Sequence, residues 1–225
     1  MGVGMAVTRM LAVAGLALAL AGCGDADRRG GSLTLIGQSV AALAKSARGD
    51  TPVSRITASN AALNAAEVNL LLVRTETTGS RAGFALDSVN GDAMTWRSTD
   101  GVSVVTRGGQ LNGTAGFGFD LSSAALPAFR PGGTVTRTHY RLRGDEVVAP
   151  ETFTCVQSLG PAEAITVTGR RFATQKLVET CRSAERDGIE NAYWIDASGV
   201  VRKSRQWASP GIGYLVLEDV HGGLR

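Results

Sequence analysis

The sequence predicts a mainly β protein: a strongly curved antiparallel sheet or incomplete β-barrel of about ten strands, with one or two N-terminal helices packed on it. Three observations predict it. From Val68 onward, short runs rich in Val, Ile, Thr and aromatic residues recur, and Gly-containing turns separate them about every ten residues. Two of those turns are strong hairpin signals, Asn90-Gly91 and Asp100-Gly101, and a third is Gly108-Gly109. That many strands in one domain rarely stay flat and open. The 29 glycines are scattered and no repeat recurs, so a solenoid or propeller is not supported.

At the N-terminus, Arg9 is the single charge before Asp25, and residues 10–21 are an unbroken apolar run. A charged start, an apolar run and small closing residues make an export signal. The run is shorter than the about 20 residues that a membrane span requires. Leu20-Ala21-Gly22-Cys23 resembles the lipobox of bacterial lipoproteins letter for letter. That resemblance implies a diacylglyceryl group on the Cys23 thiol, cleavage just before Cys23, and acylation of the new amine. Two or more acyl chains anchor a protein stably where one holds it only marginally. The expected organisation is a lipoprotein signal peptide at 1–22, a lipidated tether at 23–32 and a single β-rich domain at 33–225. Gly24 follows Cys23, and Asp25 stands one place late for the aspartate that enteric sorting reads as inner-membrane retention. The expected destination is the outer membrane, lipid-anchored, with the domain facing the periplasm.

After the tether, residues 32–48 fit a helix: Ser32 is an N-cap, Ile36, Val40, Leu43 and Ala47 fall on one face, and Gly49 and Pro52 stop it. Ser59 caps a second, shorter helix over 59–66. Strands are expected at 68–77, 82–89, 93–99, 102–107 and 110–114. Residues 116–131 read as irregular, with a helical turn around 121–126. Strands resume at 134–143, 151–158, 164–171, 175–182, 191–196, 200–207 and 213–220, with turns around Gly160-Pro161 and Gly169 and a last hairpin at Ala197-Ser198-Gly199.

Several function classes lack support. The 23 Lys and Arg against 20 Asp and Glu leave a net charge of +3, with no basic run, so nucleic acid is not an expected partner. His139 and His221 have no Cys, His or carboxylate at ligand spacing, so neither a metal nor another cofactor is expected. There is no G-x-S-x-G elbow. Glu67, Asp87, Asp92, Asp100 and Asp120 could supply paired carboxylates for glycoside hydrolysis, but Asp92 and Asp100 are explained as turn residues. No catalytic residue is therefore assigned.

Trp96, Trp194 and Trp207 raise the question of sugar stacking, for which Trp96 and Trp207 are the candidates; core packing is the competing role. Cys155 and Cys181 are the two thiols left once Cys23 carries lipid, and an oxidising compartment favours joining them. One expected strand lies between theirs, however. Strands two apart miss disulfide reach unless the sheet curves or the middle segment loops out. Two buried free cysteines are the alternative.

At the strands the sequence resembles the YjbF/GfcB lipoproteins. The pattern is Trp96, the Asp100-Gly101 hairpin, Thr106-Arg107, Gly108-Gly109, and then Thr114, Gly116, Gly118, Asp120 and Leu121. A closing hairpin follows, with Tyr193 and Asp196 before Gly199, then Arg205-Gln206-Trp207 and Pro210. The resemblance implies a mainly β lipoprotein of the Gram-negative outer membrane, encoded with exopolysaccharide and capsule secretion genes and without known catalytic residues. The expected function is then a non-catalytic accessory in polysaccharide secretion or assembly. Its expected partners are the membrane through its lipid, polysaccharide-secretion proteins and the polysaccharide. The alternatives are a periplasmic carrier holding a lipid or acyl chain in a β-cavity, and an envelope glycan hydrolase.

Overall fold

A computed structural model describes residues 58–144, 147–186 and 188–224. The expected helix at 32–48, the tether and Cys23 lie outside the described residues. The expected helix at 59–66 is the short α1 (Asn60–Asn64), where Ser59 Oγ accepts from Ala62 N at 3.2 Å.

Twelve strands follow among the described residues: β1 (Leu70–Thr75), β2 (Arg81–Asn90), β3 (Ala93–Arg97), β4 (Ser103–Arg107), β5 (Gln110–Ala115), β6 (Ser123–Ala125), β7 (Thr134–Leu142), β8 (Val148–Val167), β9 (Arg170–Arg182), β10 (Ile189–Asp196), β11 (Val201–Ser209) and β12 (Gly213–Asp219). All pair antiparallel in one sheet, ordered β5-β4-β3-β2-β1-β12-β11-β10-β9-β8-β7-β6. That order is a meander bent round until its first and last strands meet, so β1 pairs with β12 and the edges β5 and β6 come together. The seam is closed by individual bonds. Thr114 N donates to Leu121 O at 2.8 Å, Asn112 Nδ2 to Ala124 O at 2.7 Å, and Gln110 Nε2 to Pro127 O at 2.7 Å. These bonds cover part of an edge that would otherwise template a foreign strand.

Three details differ from the sequence reading. The count is twelve rather than about ten. The expected helical turn at 121–126 is instead the three-residue β6, which forms because Ser123, Ala124 and Ala125 pair with Tyr140, His139 and Thr138. The strand expected at 151–158 and the first half of the one expected at 164–171 are one strand, β8, which turns at Thr168-Gly169 into β9; Gly160-Pro161 occupy a register shift between Leu159 and Ala162, not a turn. Proline lacks the ladder donor, and a bulge tolerates it.

The turns are glycine-driven where the backbone requires it. Gly108 and Gly109 have φ of +53° and +72°, the two left-handed positions that match strand twist in a two-residue hairpin. The β8–β9 turn has the same form with Thr168 (φ +48°) and Gly169 (φ +80°). A β-branched residue there is strained, and α1 holds it: Thr168 Oγ1 donates to Asn64 Oδ1 at 2.6 Å, and Asn64 Nδ2 to Thr168 O at 2.8 Å.

A round barrel of this size would enclose a lumen. Here the walls meet instead. A Cβ on Gly109 would fall 2.3 Å from a Val201 methyl, so the β4–β5 turn lies directly on β11. The interior is filled by Leu71, Phe84, Trp96, Leu111, Leu121, Tyr193, Leu215 and Leu217, all 2% exposed or less. The end where the chain enters is plugged by the C-terminal tail. Asp219 accepts from His221, Gly222 and Leu224 N–H groups at 2.8–3.1 Å, Leu224 is fully buried, and Gly223 lies against Trp96. The opposite end, ringed by the β1–β2, β3–β4, β5–β6 and β11–β12 loops, stays open.

Candidate functional site

The open mouth is built by the loop that carries the Thr114–Leu121 pattern. Asp120 organises it: Oδ1 accepts from Thr114 Oγ1 at 2.7 Å and Phe117 N at 3.2 Å, and Oδ2 from Gly116 N at 3.0 Å. Thr114 Oγ1 accepts in turn from Leu121 N at 2.9 Å. Gly116 and Gly118 take φ of +92° and +98°, which side chains resist. Between and beyond them stand two aromatics. Phe117 is half-buried and lines a cavity; Phe119 is 72% exposed on the rim. The Phe119 ring rests on Gly211, where a Cβ would come within 2.4 Å of it, and Phe119 O accepts from Ser209 Oγ at 2.5 Å.

The cavity beside this loop has a volume of about 320 Å³. Val73, Ala82, Phe84, Val102, Phe117 and Ile212 make its apolar surface, and Thr75, Thr77, Thr78, Ser80 and Asp100 its polar one. Its walls are pinned. Thr77 Oγ1 donates to Ile212 O at 2.8 Å, Thr78 Oγ1 bonds Ser80 Oγ at 2.9 Å, and Ser98 Oγ donates to Asp100. Behind the β1–β2 loop, Glu76 receives Arg205 in a two-pronged pair at 2.9 Å, with that guanidinium 3.5 Å from the Tyr214 ring centre.

On the β7–β9 side of the same end, Trp207 sits in a cationic box. His139 stacks on it at 5.5 Å, and the Arg186 and Arg141 guanidiniums lie 4.7 and 5.7 Å from its centre. Both arginines pair with Glu151, at 3.4 and 2.7 Å, and Ser183 Oγ donates to it at 2.7 Å. Burial favours the neutral carboxyl, but Ser183, then Arg141 and Arg186, outweigh it and hold Glu151 below the usual carboxylate range. His139 moves the other way. Burial, then the Arg137 and Arg141 charges, push its imidazole from 6.5 to about 3.

That shift has a signed consequence. Above pH 6.5 the imidazole is neutral both folded and unfolded. Below 6.5 the unfolded chain takes up a proton that the folded one refuses until about pH 3. Stability should therefore fall by about 1.4 kcal/mol per pH unit through that window, roughly 2 kcal/mol by pH 5. Urea midpoints at pH 7, 6 and 5 will show the slope, and His139→Phe, which keeps a ring against Trp207, will flatten it. An unchanged slope in that variant refutes the assignment.

A second polar group lies deeper, wholly out of solvent. Arg137 Nη2 is 2.9 Å from Glu179 Oε2, with the two side chains 1% and 0% exposed. Gln157 and Asn191 also donate to Glu179, at 3.0 and 2.8 Å. Arg137 donates to Gln110 at 2.7 Å and Tyr193 OH at 2.9 Å. Gln206 extends the chain across the interior, accepting from Leu111 N at 2.7 Å and donating to Gly109 O at 3.0 Å. Burial favours the neutral guanidine, but Tyr193 and Glu179 overcome it and keep Arg137 charged. Burial likewise pushes the Tyr193 phenol up.

The residues singled out from sequence fall in varied places. Trp96 is fully buried, with Nε1 donating to Thr106 Oγ1 at 2.9 Å, and Trp207 is 5% exposed behind its arginines. Neither offers a free face for a sugar, because each fills the barrel more effectively than it could serve the surface. Trp194 is the half-exposed tryptophan, flanked by Lys176 and Lys203, with its Nε1 donating to Glu163. Cys155 and Cys181 are directly opposed on adjacent strands, β8 and β9, and their sulfurs are bonded. The intervening strand expected from sequence is part of β8 itself, which removes the geometric objection. Glu179 lies close to both sulfurs, but a disulfide beside a salt-bridged carboxylate is not a set of metal ligands. The candidate carboxylates are dispersed: Asp87 pairs with Arg97, Asp92 sits at the far end beside Arg107, Asp100 lines the cavity, and Asp120 holds its own loop. His221 Nδ1 accepts from Leu70 N at 3.2 Å.

Sequence reasoning passed over Phe117, Phe119, Arg137, Gln157, Glu179 and Asn191. Alternation held the signal for some of these. Arg137 and His139, Phe153, Cys155 and Gln157, and Leu177, Glu179 and Cys181 are inward-facing sets on their strands.

A family profile described as "Group 4 capsule polysaccharide lipoprotein gfcB, YjbF" matches residues 37–220. Among solved structures, the hypothetical lipoprotein YmcC from Escherichia coli K12 superposes with a TM-score of 0.65 at 21% identity, covering 80% of this chain and 94% of that one. That likeness concerns the fold. No curated protein matches the chain in sequence. The profile spans most of the chain, including both hairpin patterns that build the mouth and the barrel interior, and the chain therefore belongs to the YjbF/GfcB family of group 4 capsule polysaccharide lipoproteins.

Proposed function

We propose that this protein is a lipid-anchored accessory of capsule or exopolysaccharide export. It sits at the outer membrane with its domain in the periplasm, and works by binding polymer or a partner protein rather than by catalysis. The carrying observation is the mouth: an exposed aromatic, Phe119, held on a loop fixed by Asp120 and Ser209, beside an open cavity on an otherwise filled and plugged barrel. Rigid exposed aromatics are binding features, because ordering them in advance lowers the cost of association. An acyl-chain carrier needs a void along the barrel axis, and Trp96, Tyr193 and Leu217 fill that space. A retaining or inverting hydrolase needs two carboxyl groups facing one bond, and the candidate carboxylates are engaged in separate tasks.

The test is deletion with complementation. Loss of the gene should lower surface polysaccharide, and the wild-type gene should restore it. Cys23→Ser should fail to restore it, leave the membrane fraction and lack acyl mass. A Cys23→Ser protein that stays membrane-bound with unchanged mass refutes the anchor; normal polysaccharide in the deletion strain refutes the accessory role.

A further inference from the structure

We infer that the mouth cavity is a subsite for one uncharged or amino-bearing sugar residue, a reading that rests on the proposed role in polysaccharide export. The first argument is shape. About 320 Å³ lies at the small end of ligand sites, which span about 300–1,000 Å³. A pocket of that size at the surface takes a single ring and its linkages rather than a long chain.

The second argument is the distribution of polarity. The floor is apolar, with Phe84 and Ile212, and Phe117 forms one wall. Phe119, packed on the lining residue Gly211, adds a solvent-facing ring at the rim. A pyranose has the complementary character: an apolar face of C–H groups that packs on an aromatic ring, and an equator of hydroxyls. The hydroxyls meet Thr75 and Ser80 on one side of the opening. A purely apolar ligand would leave those groups facing hydrocarbon, which costs free energy.

The third argument is charge. Among the described residues, Asp100 is the only ionisable group in the lining, with no Lys, Arg or His beside it there. Ser98 donates to Oδ1, which aims the carboxylate and leaves Oδ2 free to accept from a sugar hydroxyl or ammonium. A uronic acid placed there would face an uncompensated carboxylate. The site therefore discriminates against acidic residues and accepts neutral hexoses or amino sugars. Nearby cations are already committed: Arg205, behind the β1–β2 loop, to Glu76, and Arg141 and Arg186 to Glu151 and to Trp207.

The fourth argument is a rigid loop that presents an exposed ring. Asp120, Thr114 and Ser209 fix the Gly116–Phe119 backbone, yet the Phe119 ring they present is largely solvated. Folding alone gains little from that arrangement.

The experiment uses the full mature lipoprotein in lipid nanodiscs, which avoids alkyl detergents that compete for the apolar floor. Calorimetry and saturation-transfer NMR are run with maltotriose, chitobiose and digalacturonate. Maltotriose or chitobiose should bind, digalacturonate should not, and Phe119→Ala and Asp100→Asn should each weaken the bound sugar about tenfold or more. Phe119 is exposed, so its variant should keep the wild-type melting temperature. Absence of binding by both uncharged sugars, equal binding by digalacturonate, or affinity unchanged in both variants overturns the subsite. Polysaccharide assays separate the two levels. If the deletion strain loses surface polysaccharide but Phe119→Ala and Asp100→Asn strains keep it, the sugar subsite fails while the accessory role stands. If the deletion strain keeps it, the role itself fails.

Discussion

Glu179→Gln will destabilise the domain by about 3–5 kcal/mol, the range seen when one partner of a buried ion pair is removed. The substitution changes almost no volume, so the effect is electrostatic. Arg137 is 1% exposed and cannot turn to water; with Glu179 neutral it loses its counter-charge and keeps only neutral acceptors, among them Gln110 and Tyr193. Arg137→Met should cost a similar amount for the mirrored reason, since Glu179 would retain only the neutral donors Gln157 and Asn191. The double variant should be more stable than the sum of the two losses predicts, by at least about 1 kcal/mol, because neither uncompensated charge remains. Urea unfolding of the four proteins measures the cycle. Strict additivity, or single losses below about 1 kcal/mol, would show that the pair does not organise the interior. The stakes extend beyond two side chains. The network joins β7, β8, β9 and β10 and reaches β5 through Gln110, so it helps hold opposite walls of the flattened barrel in register.

Removing the Cys155–Cys181 bond by a double Ala substitution will cost roughly 3–4 kcal/mol. The two cysteines are 26 positions apart, and the bond shortens that loop in the unfolded chain. Both are fully buried beside Phe153, Ile189 and Trp207, so their loss also removes packed sulfur. Alkylation under denaturing, non-reducing conditions followed by intact mass should add nothing at these positions. After reductant it should add two groups. Two groups added without reductant would establish free thiols instead.

The hairpins were legible because their causes are local. Gly108-Gly109, Gly169 and Gly199 carry backbone conformations that few residues adopt, so the letters report the geometry directly, whereas Thr168, strained beside Gly169, gave no such signal. Even so, the Asn90-Gly91 signal is shifted by one residue: Asn90 still pairs with Ala93, and Gly91 and Asp92 form the turn. β6 was not legible. Three residues carry no periodicity, and this strand exists because β7 offers a partner. β8 misled for the reverse reason: Gly160-Pro161 is a strong local breaker, and pairing with β9 on both sides absorbs it as a bulge.

By itself, the sequence determined the mainly β meander, its hairpin turns and the family pattern, because turn chemistry and strand alternation act over a few residues. Only the tertiary structure decided how the ends of that meander meet and which side chains face one another. It buried Trp96 and Trp207 while leaving Phe119 exposed, and the residue types alone do not distinguish those fates. It paired Arg137 with Glu179 across an intervening strand, and it collapsed the lumen by laying Gly109 on Val201. These are contacts between segments far apart in the chain, fixed by sheet curvature and interior packing, and no local stretch of sequence encodes them.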